Sequence, residues 1–136
     1  ARGRGATVAA GGGRLEGAGN WFAPTVLTGV DHSMAVMRDE TFGPLIGIQV
    51  VGDDAEAAAL MRDTEYGLTA GVYTPDRARA ERLLARLPVG SAYWNCCDRV
   101  TPRLPWSGRR HSGIGLTLST HGLRAFAQPK AWHLRG

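Results

Sequence analysis

Between Leu45 and Asn95, short apolar runs alternate with amphipathic helical stretches, and this alternation constrains the fold more than any other feature of the chain. Leu45–Val51 reads Leu-Ile-Gly-Ile-Gln-Val-Val before a Gly52-Asp53 break, a near-continuous apolar pattern that predicts a strand covered on both faces. Asp53 is a good N-cap with Glu56 at capping-box distance, so a helix is predicted from Asp54 to Asp63. Leu68–Tyr73 resumes strand character. Thr74-Pro75 then predicts a second helix start, with Ala80, Leu83, Leu84 and Leu87 forming the buried stripe and Arg77, Arg79, Arg82 and Arg86 turned outward. Pro88 and Gly90 end it, and Ser91–Asn95 is the next strand. Strand, helix, strand, helix, strand with short connections is the grammar of an α/β fold, a mainly parallel sheet flanked by helices.

The flanks read less sharply. Ala6–Ala10 and Pro24–Val30 predict strands, residues 96–115 a long loop, Thr117–Phe126 a helix, and Ala131–Arg135 a final strand after Pro129. The 136 residues suit a single domain, and 43% hydrophobic residues give it enough apolar mass for a packed core. No apolar stretch approaches the roughly 18 residues needed to span a bilayer, so no membrane partner is predicted. No signal-like segment opens the sequence, which predicts a cytoplasmic protein. The net charge of +4 comes from arginines scattered among acidic residues rather than from one basic stripe, which argues against nucleic acid as a partner.

Chemistry-bearing motifs are sparse. Gly11–Gly13 and Gly113-Ile114-Gly115 both lack the spaced third glycine of a dinucleotide fingerprint, and the only lysine, Lys130, sits in no phosphate loop. His32, His111, His121 and His133 never fall at zinc-ligand spacing, so no metal is predicted. Cys96 and Cys97 are adjacent, closer than an ordinary disulfide prefers, and are predicted to be reduced. They are either a nucleophile or, the reading favoured by their place at a strand end, two small half-buried residues. The Asp39-Glu40 pair fits acid–base work or a solvated surface. Composition and spacing alone go no further than an α/β domain.

Longer motifs carry more. Asn20-Trp21-Phe22-Ala23-Pro24-Thr25-Val26-Leu27 followed by Asp39-Glu40-Thr41-Phe42-Gly43-Pro44 resembles the aldehyde dehydrogenase superfamily pattern G-x-(Y/F)-x-x-P-T-(V/I)-L … E-E-x-F-G-P. Tyr66–Thr74 is similar to that family's Y-G-L segment, Gly90–Asn95 to its G-x-v-x-v-N strand, and Pro105–Gly113 to its P-F-G-G-x-K-x-S-G loop. Four motifs in order and spacing cover residues 5–135. The resemblance implies the C-terminal part of a catalytic domain, with the cofactor domain, cysteine nucleophile and general-base glutamate upstream. No catalytic residue is then expected within the chain itself, which is expected to be inactive alone.

In such enzymes a thiolate attacks the aldehyde, the thiohemiacetal passes hydride to the nicotinamide of NAD or NADP, and water releases the acid. The resemblance assigns Glu40 to the nicotinamide-ribose hydroxyls and Phe42 to packing beside the ribose. It assigns Trp106 to the aldehyde-pocket wall and the Cys97–Val100 stretch to the entrance loop, with Asp98 and Val100 as its substrate-binding residues. It also implies the upstream half of the same enzyme as a partner and a homo-oligomer joined through residues 130–136. Trp106 and Ser107 replace phenylalanine and glycine, Arg110 replaces lysine, and Leu116-Thr117 stands where Arg-Glu is usual, so the choice of aldehyde does not transfer. A noncatalytic remnant serving as a binding or assembly module is the alternative.

Overall fold

In the computed structural model, which describes residues 1–97 and 99–136, strand β1 (Thr7–Ala10) runs antiparallel to β2 (Thr25–Thr28). β2 runs parallel to β3 (Leu45–Ile48), pairing Thr25 with Leu45 and Thr28 with Ile48. These strands, with the short helix α1 (Ala35–Arg38) and helix α2 (Asp54–Arg62), belong to one compact unit, Ala1–Thr64. A second unit, Glu65–Gly136, holds β4 (Thr69–Val72), α3 (Arg77–Leu84), β5 (Ser91–Trp94) and α4 (Ser119–Arg124), with β4 and β5 paired in parallel. The class is α/β with parallel strand pairs and helices, as the alternation predicts.

The core of the first unit is Ala6, Leu27, Val30 and Met34, with Val8, Val36, Met37 and Leu45 packed against it. β3 is shorter than predicted and is not covered on both faces. Its burial alternates, and Ile46 and Ile48 are exposed. The reason is the period of two in a strand: Gly47 lies against Met37 and Val30, so residues on either side of it turn away from that core. Helix α2 begins as predicted. Asp53 Oδ1 accepts from Glu56 N at 2.8 Å, while Glu56 Oε2 accepts from Gly52 N at 2.7 Å, a reciprocal box closed one residue before the cap. Helix α1 carries no sequence signal because one turn is too short to show a period. It is set up by an Asx turn in which Asp31 accepts from Ser33 N at 2.7 Å.

In the second unit, α3 packs on β4 and β5. Ala80, Leu83 and Leu87 are buried and Leu84 is half-buried, while the four arginines are exposed. The helix does not start at Thr74-Pro75. Thr74 N donates to Asn95 Oδ1 (2.9 Å), and the Thr74 carbonyl accepts from Asn95 Nδ2 (3.0 Å) and Trp94 Nε1 (2.8 Å). With Thr74 held to the end of β5, the cap falls to Asp76, whose side chain accepts from Arg79 N at 3.0 Å.

Two further expectations are corrected. The last helix begins at Ser119 rather than Thr117, because Thr117 exchanges both backbone hydrogen bonds with Trp106 at 2.9 Å. Residues 131–135 form no strand. They are exposed and make no ladder, and a strand exists only where its backbone groups find a partner.

Candidate functional site

In the first unit, the predicted cofactor residues sit on the exposed link between α1 and β3. Glu40 is exposed, and among the described residues its carboxylate makes no hydrogen bond or ion pair. Phe42 is 95% exposed and has φ 45°, a left-handed backbone that costs a bulky residue energy. A strained aromatic held in solvent has no packing rationale within its own unit. A carboxylate with both oxygens free lies two residues away, and together they could accept from a vicinal diol and cover a flat ring.

In the second unit, a cleft of about 490 Å³ is lined by Tyr93, Cys96, Arg99, Leu104, Trp106 and Leu118, among others. β5 supplies one wall. The loop after it is tied back where Tyr93 Oη donates to the Arg99 carbonyl at 3.4 Å and Ser119 N donates to the Pro102 carbonyl at 2.9 Å. Trp106 is half-buried and lines the cleft, its backbone fixed by the bridge to Thr117. Val100 is 58% exposed and is not among the lining residues, whereas its neighbours Arg99 and Thr101 are. Asp98 lies outside the described residues. Arg99 falls within the Cys97–Val100 stretch that the resemblance assigns to the entrance loop, whereas sequence reasoning missed Leu104 and Leu118. Leu118 has φ 61° and faces the cleft in a conformation that no pattern of side chains announces.

The loop motifs owe their glycines to one backbone crossing in this unit. The Gly67 carbonyl accepts from both Gly90 N and Arg109 N at 3.0 Å, and Gly67 N donates to Ser112 Oγ at 2.9 Å. A Cβ on Gly90 would stand 1.5 Å from the Ser107 carbonyl oxygen, and one on Gly67 would stand 2.4 Å from that of Pro88. Three separate stretches of sequence therefore meet at main-chain distance beside Trp106. Ser107, in the place of a glycine, uses its hydroxyl to donate to the Gly115 carbonyl at 2.8 Å, closing the loop.

Cys96 is half-buried in the cleft wall and Cys97 is exposed; both are free. The Tyr73 phenol holds its proton above the ordinary range, chiefly through its interaction with the Cys97 side chain, then through partial desolvation and the charges of Cys97 and Cys96. Among the described residues no three His, Cys, Asp or Glu side chains come together to hold a metal, and no helix is long and apolar enough to cross a membrane.

Comparison with known proteins agrees with the motif reading. The family model described as the aldehyde dehydrogenase family matches residues 1–132. The chain is 39% identical to a betaine aldehyde dehydrogenase of Hordeum vulgare over 96% of its own length and 26% of the relative's. It is 37% identical to a succinate semialdehyde dehydrogenase [NAD(P)+] of Escherichia coli, covering 90% of this chain and 27% of that one. Among solved structures, betaine aldehyde dehydrogenase from Staphylococcus aureus in complex with NAD+ superposes with a TM-score of 0.86 at 34% identity, covering 92% of this chain and 26% of that one. An NAD+ complex of an aldehyde dehydrogenase from Bacillus cereus gives 0.88 at 31% identity, over 93% and 26%. The chain thus spans about a quarter of the length of these relatives.

Proposed function

This chain belongs to the aldehyde dehydrogenase family, and from that premise we propose that it supplies the nicotinamide-ribose contacts and part of the substrate-pocket wall for NAD(P)-dependent oxidation of an aldehyde to a carboxylic acid. The observation that carries the reading is the pairing of an unpartnered Glu40 carboxylate with the strained, solvent-exposed ring of Phe42. Both oxygens of Glu40 are free to accept from two neighbouring ribose hydroxyls, and the ring offers an open face. The residues present fit the cofactor. When bound, the nicotinamide accepts the hydride that leaves the aldehyde carbon.

The chain's own residues orient and enclose. Glu40 fixes the sugar through charge-assisted hydrogen bonds, and Phe42 packs beside it and excludes water. Trp106 walls the aldehyde pocket, with Asp98 and Val100 on the entrance loop. None of them moves a proton or forms a bond to substrate, so the isolated chain is inactive and binds cofactor weakly or not at all. The thiolate and general base come from the upstream part of the same enzyme, and residues 130–136 join subunits into a homo-oligomer. Two free cysteines suit a reducing compartment, and we place the protein in the cytoplasm.

The test is a chimera in which this chain replaces the corresponding C-terminal quarter of the Staphylococcus aureus relative, assayed for aldehyde-dependent NADH formation. Turnover that falls about 100-fold in Glu40→Ala, the scale of losing a positioning contact, is expected. Turnover untouched by Glu40→Ala would remove Glu40 from the cofactor site. A folded chimera without turnover would favour a noncatalytic assembly role.

A further inference from the structure

Cys96 and Cys97 are the only cysteines in the sequence, and the function proposed above uses neither. They follow β5 directly, behind a residue whose position is fixed from three sides. Asn95 has φ 51°, its backbone N donates to the Val72 carbonyl at 3.0 Å, and its side chain brackets Thr74 with two hydrogen bonds. The two thiols are therefore presented from a rigid anchor rather than from a loose tip. Cys96 lines the cleft and Cys97, the next residue, is exposed. Adjacent in the chain, the two side chains can reach one another by rotation about their own χ1 bonds.

Neighbouring Cα atoms are about 3.8 Å apart, below the 4.4–6.8 Å usual for a disulfide, so direct oxidation of this pair to one is geometrically disfavoured. A single atom inserted between the sulfurs makes a longer bridge than an S–S bond of about 2.05 Å and relaxes that mismatch. Thiolates prefer soft, thiophilic centres. We propose that Cys96 and Cys97 form a vicinal dithiol site at the lip of the cleft that captures trivalent arsenicals of the type R–As=O. The balanced step is R–As=O + 2 Cys–SH → R–As(S–Cys)2 + H2O. Two S–As bonds form, the arsenic–oxygen bond breaks, and both thiol protons leave with the oxygen as water. Arsenic stays trivalent and no sulfur is oxidised, so no oxidant or reductant is needed. The group R then projects from the wall to which Cys96 contributes and fills part of the cleft.

The second S–As bond is intramolecular, and its effective concentration multiplies the strength of the first by about 100-fold or more. The experiment titrates phenylarsine oxide into the folded protein and counts adducts by native mass spectrometry, with Cys96→Ser and Cys97→Ser in parallel. Each sample is then chased with excess 2-mercaptoethanol or with 2,3-dimercaptopropanol. The expected result is one arsenical per protein with loss of one water, resistant to the monothiol and stripped by the dithiol. Either serine variant should weaken retention by about 100-fold or more. Two arsenicals per protein, an adduct stripped by the monothiol, equal retention in the serine variants, or reaction only after unfolding in urea would each overturn the proposal.

Discussion

Replacing Gly90 with alanine tests whether the backbone crossing beside Trp106 is as tight as the structure shows. The added Cβ would lie 1.5 Å from the Ser107 carbonyl oxygen and 2.6 Å from its carbon, both main-chain atoms that cannot rotate away. Restoring a normal separation of about 3.5 Å requires the Ser107 segment to retreat by roughly 2 Å. That movement strains the Arg109 N to Gly67 carbonyl bond and the pair of 2.9 Å bonds between Trp106 and Thr117. Overpacking costs about 1–3 kcal/mol and each backbone hydrogen bond lost about 1 kcal/mol, so Gly90→Ala should destabilise the protein by about 3–5 kcal/mol. Against a total stability of about 5–15 kcal/mol this is a large fraction. Urea unfolding followed by tryptophan fluorescence reads it, with Gly13→Ala as the control. Gly13 has an ordinary φ and nothing within 4 Å of its would-be Cβ, so its midpoint should move by less than about 0.5 kcal/mol. A Gly90→Ala protein within about 1 kcal/mol of the parent would refute the reasoning.

Three further outcomes are expected. Thr25 is 3% exposed, and its hydroxyl donates to the Ala23 carbonyl and accepts from Gly12 N, both at 2.8 Å. Thr25→Val should therefore cost about 1–3 kcal/mol in denaturant unfolding, with Thr25→Ser recovering most of it. Asp53→Ala removes the α2 cap and should cost about 1 kcal/mol, read as a lower thermal midpoint and faster amide exchange at Ala55–Ala57. The Asp31 carboxyl titrates below its ordinary range, chiefly because the Ser33 hydroxyl donates to it, then because Ser33 N does. A depressed folded pKa adds stability that is present above the unfolded value and disappears as pH falls through the folded one. Ser33→Ala should raise the Asp31 titration in carbon-detected NMR and weaken the protein at neutral pH. That difference should shrink in acid below the carboxylate range. A pH-independent difference would assign the effect to lost Arg4 contacts instead, since Arg4 also donates to Ser33.

The local signals proved strong where a motif is complete within a few residues. The Asp53–Glu56 box, the Ala80-Leu83-Leu87 stripe and the apolar runs that became β3, β4 and β5 all depend on spacing along the chain, which composition makes visible. The family motifs were legible for the same reason, since Glu40 and Phe42 lie two residues apart in a dense pattern. By itself, then, the sequence determined the α/β class and the family, and it is the source of the proposal that Glu40 and Phe42 meet the cofactor.

The remainder depended on contacts between distant segments. Asp76 took the α3 cap because Asn95, nineteen positions on, holds Thr74. Thr117 left the last helix because Trp106 claims its backbone, and Ile46 and Ile48 stayed exposed because the core lies on the other face of β3. Which residues line the cleft, with Arg99, Leu104 and Leu118 in and Val100 out, was likewise settled only in three dimensions. A strand or helix signal reports what a segment prefers alone. Backbone groups must also be paired and apolar faces covered by whatever the folded chain brings near, and that choice is made by tertiary structure.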